Sequence, residues 1–204
     1  MAGIAQPDPD FTPNPVVTVL AAGTRLTRLY TRTHSQTALT FRRFGPIHRF
    51  DHHRSTGAPD YDPERAVLYA AYRLAGAVVE TFGDSREIIT TGRYVARYAL
   101  NRDLLMLDLR RSGAMRAGTT AAISKIADRV LTQTYARHFY ERDDLFGRVD
   151  GLLYYNSHND DEALALFERA EGALACIRDD PLDAPHYRLT LLAIAHENGM
   201  ELVD

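Results

Sequence analysis

Five side chains stand out because of their residue type and their place in the sequence: Arg32, Arg49, Tyr69, Glu80 and Ser157. Glu80 lies in LAGAVVETF, a segment that is otherwise apolar and has the character of a helix. A carboxylate in such surroundings is costly to bury unless it is paired. Two interpretations stay open: an ordinary glutamate on the solvent side of a helix, or a carboxylate that a rigid helix places at the edge of a pocket.

The other four residues each allow a structural and a functional interpretation. Tyr69, central in VLYAA, is either a core tyrosine with a hydrogen-bonded hydroxyl or the aromatic wall of a planar-ligand site. Arg32 and Arg49 flank an irregular segment; each could be solvated, but two converging guanidinium groups suit a pyrophosphate. Ser157 follows the apolar run GLLYYN, where it is either a turn residue or a hydroxyl that bonds a ribose.

Several common catalytic signatures are missing from the chain. It contains no GxxxxGK[ST], GxGxxG, GxSxG or HExxH pattern. Cys176 is the single cysteine, so an internal disulfide and a CxxC metal site are both excluded. The eight histidines lack ligand spacing, and the adjacent His52 and His53 would point to opposite faces of a strand. We therefore expect no metal site, and histidines that are mostly at the surface or hydrogen-bonded.

Composition restricts the class of protein. A chain of 204 residues with a formal net charge of −3 is the size of one domain and lacks the basic footprint of a nucleic-acid-binding protein. Lys125 is its only lysine, so nearly all basic residues are arginines, either from coding bias or for phosphate recognition. Residues 1–15 lack the apolar core of a signal peptide, and no apolar run is long enough to span a membrane. We expect a cytoplasmic protein without a membrane partner.

The hydrophobic periodicity and the positions of glycine and proline predict an α+β fold. Residues 1–15, with four prolines, are predicted to be a flexible N-terminal segment, and residues 16–204 a single domain. Residues 33–65 are predicted to form a long irregular loop. Strands and helices do not alternate regularly, which favours a largely antiparallel or mixed sheet flanked by helices over a doubly wound parallel sheet. The predicted strands are 26–32, 67–71, 88–91, 93–99, 104–109, 151–155 and 163–167, and the predicted helices are 73–82, 124–140 and 188–198.

The ordered set of motifs resembles the RES domain family, the toxin half of many bacterial toxin–antitoxin pairs. The similarity covers about residues 26–170. His48 stands where the family usually has glycine, Asn156 where it often has a small residue or proline, and His158 where it has arginine. The segments that resemble family motifs are LYTRTHS with Arg32, HRFD with Arg49, AVLYAAYRLAGAVVETF with Tyr69 and Glu80, LLMLDLR, and VDGLLYYNSHNDDEALALFE with Ser157.

The resemblance implies a fold related to the ADP-ribosyltransferase toxins and an enzyme that breaks the nicotinamide–ribose bond of NAD. The acceptor would be phosphate, in an NAD phosphorylase, or water. It also implies a helix-turn-helix antitoxin as partner, in a homo- or hetero-oligomer. Two other functions stay open: ADP-ribosyl transfer to a protein target, and a non-catalytic module that binds NAD or a partner.

The resemblance also assigns roles. Glu80 would stabilise the oxocarbenium-like transition state of glycosidic cleavage. Arg32 and Arg49 would hold the pyrophosphate, and one of them could guide an incoming phosphate. Tyr69 would pack against nicotinamide or ribose, and Ser157 would bond a ribose hydroxyl. Glu80, Arg32 and Ser157 are thus the predicted catalytic residues, and Arg32, Arg49, Tyr69 and Ser157 the predicted NAD-binding residues.

Overall fold

Eight strands form one sheet in which nearly every pair is antiparallel. The computed structural model describes residues 4–203. The strands are β1 (Val17–Leu20), β2 (Arg25–Thr31), β3 (Phe44–Gly45), β4 (Asp60–Tyr61), β5 (Val67–Ala71), β6 (Glu87–Ile89), β7 (Arg93–Leu100), β8 (Leu104–Asp108), β9 (Gly151–Tyr155), β10 (Glu162–Phe167), β11 (Leu174–Pro181) and β12 (Glu201–Val203). The large sheet has the order β1-β8-β9-β10-β5-β2-β7-β11. Only β8 and β9 run parallel within it.

Two small ribbons accompany this sheet among the described residues. Strands β6 and β12 pair in parallel, and β3 pairs with β4 inside the irregular segment 33–65. The helices are α1 (Leu74–Phe82), α2 (Gly113–Arg116), α3 (Arg129–Glu141), α4 (Asp143–Phe146) and α5 (Arg188–Asn198). Sheet and helices thus give an α+β fold with a mixed sheet, as the sequence predicts.

Helix ends follow from local chemistry. Helix α3 begins at Arg129 because the Asp128 side chain accepts a hydrogen bond from the Leu131 N–H at 3.0 Å. The predicted helix 124–140 was therefore too long at its start; residues 121–124 form a separate 3₁₀ turn. Helix α5 ends at Asn198, and Gly199 takes the left-handed conformation (φ 60°) that a terminating residue needs.

Successive side chains of the central strands point to opposite faces of the sheet, so each face carries its own hydrophobic cluster. In β5, Leu68 packs on one face and Val67 on the other; in β9, Leu153 and Leu152 do the same. Tyr69 and Tyr154 lie on the face that α3 covers. A third cluster forms where α1 packs against α5 and β7. These layers hold α1 beside the face that carries both tyrosines.

All seven predicted strands are present, but five observed strands were not anticipated. Strands β1 and β11 are the two edges of the large sheet, β3 and β4 form a two-residue pair inside the predicted loop 33–65, and β12 is three residues long. The segment LACIRDDP of β11 is largely exposed and partly charged, so it lacks the apolar pattern of an interior strand. Short or exposed edge strands leave little periodic signal for a sequence to show.

The N-terminal segment has no helix or strand between residues 4 and 15. Its backbone nevertheless contacts the domain: the Tyr135 hydroxyl donates to the Ala5 carbonyl at 2.9 Å, and the Asn14 N–H donates to the Arg116 carbonyl at 2.9 Å. The predicted flexibility of residues 1–15 stays a prediction, and its first three residues lie outside the described part of the chain. None of the helices described between residues 4 and 203 is both long and apolar enough to cross a bilayer.

Candidate active site

Helix α1 presents one face to the turn that joins β9 and β10. Gly76, Glu80 and Gly83 lie on that face because residues four and seven positions apart align on a helix. A Cβ on Gly76 would be 3.3 Å from the Asp161 Cβ, and one on Gly83 would be 2.5 Å from the His158 ring. The two glycines therefore let the turn lie close against the helix on the side that carries Glu80.

The Glu80 carboxyl group is largely enclosed and only half satisfied. Its Oε1 accepts a long hydrogen bond of 3.5 Å from the Tyr154 hydroxyl, and its Oε2 is buried without a partner. Burial raises the pKa of Glu80, with a further contribution from Asp84, although the nearby positive charge of Arg49 acts in the opposite direction. An enclosed carboxyl oxygen without a donor is the atom that a ligand hydroxyl would satisfy.

A cavity of ≈ 40 Å³ lies beside this carboxyl group. Its walls come from β2, β5, α1 and β9, and they include the side chains of Thr27, Leu29, Tyr69, Glu80, Thr81 and Tyr154. The space is enough for a few water molecules and is smaller than a ribose. Tyr69 and Glu80 are thus brought to one cavity, as their proposed roles require.

Tyr69 is held by its hydroxyl group. This hydroxyl donates to Asp51 Oδ1 at 2.9 Å and accepts from the Phe50 N–H at 3.0 Å. Burial and the charge of Asp51 raise the pKa of Tyr69 well above its usual range, so the phenol stays neutral. Its ring meets the His48 ring edge-on at 5.6 Å. The ring position in the cavity wall is therefore coupled to the loop of residues 47–51.

Arg49 belongs to the same loop and lies near Glu80. Its side chain is half-buried and donates to the carbonyl of Ile126. Its charge acts on the carboxyl group of Glu80 and on the hydroxyl of Tyr154. The structure therefore brings Arg49, Tyr69, Glu80 and Tyr154 into one electrostatic neighbourhood.

Arg32 has other neighbours. It follows β2, forms an ion pair with Asp179 of β11 and lies over the Tyr94 ring of β7 at 4.5 Å. Strands β7 and β11 lie on the side of β2 away from β5, and the Arg32 side chain is 43% exposed. The structure does not bring Arg32 to the cavity beside Glu80.

Ser157 lies in the turn directly after β9. The side chain is half-buried, and the neighbouring Asn156 is completely buried. Asn156 Oδ1 accepts from the backbone N–H groups of His158 and Asn159, both at 3.0 Å, which fixes the turn. His158 packs against Gly83, so Ser157 is held near the C-terminal end of α1. Sequence reasoning placed this serine at a strand end, where the structure has it.

Two contributors to the site were missed from the sequence. Tyr154 is 1% exposed and offers its hydroxyl to Glu80, but GLLYY does not show which tyrosine faces inward. Asp51 is completely buried and binds Tyr69. An acidic residue inside a segment rich in arginine and histidine is the signal that could have singled it out.

The adjacent histidines are buried and lie outside any strand, so the argument from opposite strand faces does not apply to them. His52 Nε2 lies 2.9 Å from Glu168 Oε2, and the two imidazole rings are 6.0 Å apart. Between residues 4 and 203, histidine, cysteine and acidic side chains form no group of three or more that could hold a metal ion.

Comparisons with known proteins agree with the motif order. The RES domain family matches residues 25–191. One similar solved structure is that of the M. tuberculosis MbcT–MbcA toxin–antitoxin complex, with a TM-score of 0.56 at 15% identity over 84% of this chain and 90% of the other. No curated protein sequence matches the chain. Because the family match spans most of the sequence, this chain belongs to the RES domain family.

Proposed function

We propose that this protein is the toxin of a toxin–antitoxin system and that it cleaves the nicotinamide–ribose bond of NAD. Membership of the RES family and the similarity to a chain from a toxin–antitoxin complex support the first part. The observation that carries the second part is the buried Glu80 carboxyl group, which has one unpartnered oxygen beside a cavity.

Glu80 suits the charge that develops when this bond breaks. The bonding electron pair leaves with the nicotinamide nitrogen and neutralises its positive charge, so no general acid is needed. The ribose becomes oxocarbenium-like, and a fixed carboxylate near that carbon or on a ribose hydroxyl stabilises it. The cationic nicotinamide itself favours the ionised form of Glu80 and so offsets the effect of burial on its pKa.

The binding roles proposed here are those that the family resemblance implies. Arg49 would hold the pyrophosphate as a planar bidentate donor, and Tyr69 would pack against nicotinamide or ribose. Ser157 would bond a ribose hydroxyl. Arg32 can join the pyrophosphate only if it leaves Asp179, because its guanidinium group is paired there without ligand.

The cavity must widen for a ribose to enter. Arg49, whose charge acts on the Glu80 carboxyl group, donates a hydrogen bond to the backbone carbonyl of Ile126. A pyrophosphate oxygen would take the place of that carbonyl and hold the Arg49 side chain.

The test is NAD consumption by the purified protein with and without inorganic phosphate, with products resolved by mass. Phosphate-dependent formation of nicotinamide and ADP-ribose-1″-phosphate would identify a phosphorylase; ADP-ribose without phosphate would identify a glycohydrolase. ADP-ribose attached to protein would identify a transferase instead. Glu80→Gln should abolish turnover, and Glu87→Gln, at an exposed position of β6, is the matched control. No NAD loss in any condition would contradict the enzymatic proposal.

A helix-turn-helix antitoxin is the proposed partner, in keeping with the family resemblance. The arginine- and histidine-rich segment 33–65, which carries Arg49 near Glu80, would be part of its interface. Co-purification with the product of the neighbouring gene tests this proposal. Failure of the two proteins to stay together at modest salt would contradict it.

A further inference from the structure

Asp51 is an unusually connected carboxylate. It is 0% exposed, and its two oxygens accept hydrogen bonds from donors in three separate parts of the chain. Oδ1 accepts from Arg42 at 2.8 Å and from Tyr69 at 2.9 Å. Oδ2 accepts from Arg42 at 2.7 Å and from the backbone N–H groups of Ile47 and His48 at 2.6 and 2.9 Å. No solvent is needed to satisfy this carboxylate.

Two of these bonds fix the loop on which Arg49 lies. The His48 N–H precedes Arg49 in sequence and binds Asp51 directly. The Phe50 N–H follows Arg49 and binds the Tyr69 hydroxyl, which in turn donates to Asp51. The backbone is therefore pinned on both sides of Arg49, once directly and once through a phenol, to one buried carboxylate.

We propose that Asp51 is a positioning residue of this site: one carboxylate sets both the loop that carries Arg49 and the ring of Tyr69 in the cavity wall. The inference rests on the proposed NAD-binding function and adds to it a residue that touches no substrate. Its effect on NAD passes through Arg49 and Tyr69.

The ionisation state of Asp51 agrees with this geometry. Burial alone would raise its pKa, but Arg42 and the backbone N–H groups of Ile47 and His48 outweigh burial and lower it. An Asn side chain keeps one acceptor oxygen and places its amide nitrogen where the other carboxylate oxygen accepts, facing Arg42 and either Tyr69 or the N–H groups of Ile47 and His48. Asp51→Asn therefore removes the charge that pairs with Arg42, and it disturbs either the Tyr69 link or the two loop bonds.

The chain provides a matched control for this substitution. Asp62 is also a buried aspartate paired with an arginine, Arg54, and it accepts from the N–H groups of Glu64 and Arg65 at 3.0 and 3.1 Å. It does not line the cavity beside Glu80. Asp62→Asn therefore reproduces the loss of a buried loop carboxylate without touching the Arg49 loop.

The experiment is a double-mutant cycle on the affinity for ADP-ribose, measured calorimetrically with the full chain. Asp51→Asn and Arg49→Gln should each weaken binding by about tenfold or more. In the Arg49→Gln background, Asp51→Asn should weaken binding by clearly less than it does in the wild type, because only the part that passes through Tyr69 remains. Asp62→Asn should stay within about twofold of wild type. Effects of Asp51→Asn and Arg49→Gln that multiply, or an Asp51→Asn protein that binds normally, would overturn the proposal.

Amide hydrogen exchange separates this proposal from the proposed function. In Asp51→Asn the amides of Ile47, His48 and Phe50 should exchange faster, while those of the central strand β10 keep their protection. Tyr69→Phe, which keeps the ring and removes only the hydroxyl, should release Phe50 even if Asp51→Asn does not fold. Unchanged exchange at these amides would refute the positioning role. Absence of ADP-ribose binding in the wild type, with the exchange change present, would refute only the function.

Discussion

Replacing Glu80 by glutamine removes one charge from the cavity and keeps the shape of the side chain. If the carboxylate stabilises a developing ribosyl cation, the loss is electrostatic. Two unit charges about 4 Å apart interact by roughly 4 kcal/mol at the effective dielectric of a partly exposed protein site. Removal of one preorganised transition-state contact costs about 10²–10³ in kcat, or roughly 3–4 kcal/mol. The two estimates agree, so we expect kcat to fall by about that factor.

The folding stability of Glu80→Gln should be equal to or higher than that of the wild type, although its activity falls. Burial raises the pKa of Glu80, so the folded chain binds this proton more tightly than the unfolded chain. The group therefore adds stability at low pH and loses that contribution as pH rises through its folded-state pKa. Near neutral pH the neutral glutamine avoids this cost, and Glu80→Gln should unfold at the same temperature as wild type or higher.

The assay pairs NAD turnover with thermal unfolding on the same preparations. The kcat/KM of the wild type should also fall on the acid side, at a pH above the range of an ordinary glutamate, because burial raises the pKa of Glu80 in the free enzyme and protonation neutralises its carboxylate. A Glu80→Gln protein that keeps kcat within about threefold of wild type would refute the electrostatic role. A variant that loses activity only because it unfolds would refute the stability argument.

Three further predictions test other contacts. Asp179→Asn frees Arg32, so ADP-ribose should bind a few-fold more tightly if Arg32 reaches the pyrophosphate; unchanged affinity in calorimetry would exclude that role. Glu168→Gln should destabilise the protein by about 1–3 kcal/mol in urea, because buried His52 loses its charged partner. Burial would raise the pKa of Glu168, but its hydrogen bond with His52 outweighs burial and lowers this pKa to about 2. The stability is therefore present above the pKa of an unfolded glutamate and should be lost as pH falls from there to about 2; a flat profile of stability against pH would contradict it. Gly83→Ala should cost about 1–3 kcal/mol in the same denaturation assay, because its Cβ would meet an imidazole at 2.5 Å, and an unchanged midpoint would contradict the close approach.

The sequence was most informative where one residue contradicts its surroundings. Glu80 interrupts an apolar helical run, and Tyr69 is the polar member of a buried strand, so both could be identified as candidate site residues from the sequence alone. The structure places them at one cavity. The central strands were predicted for a related reason, since buried strands carry a strong apolar pattern.

Long-range contacts explain what the sequence could not supply. The pairing of Arg32 with Asp179 joins residues 147 positions apart in the sequence, and no local sequence pattern predicts it. The same holds for the Tyr154 hydroxyl, which meets Glu80 across 74 positions. Asp51 lies in a loop whose shape depends on hydrogen bonds rather than on periodicity, so its importance appears only when its donors are known.

The order of strands also determines when the cavity beside Glu80 can form. Tyr69 and Glu80 are made early, but they are joined to Tyr154 through β10, which pairs with both β5 and β9 and ends at Phe167. A chain still on the ribosome at Gly151 has neither the hydroxyl beside Glu80 nor the strand that brings it there. Non-local pairing of this kind forms late in folding. A growing chain therefore has no cavity beside Glu80 until most of its length has left the ribosome.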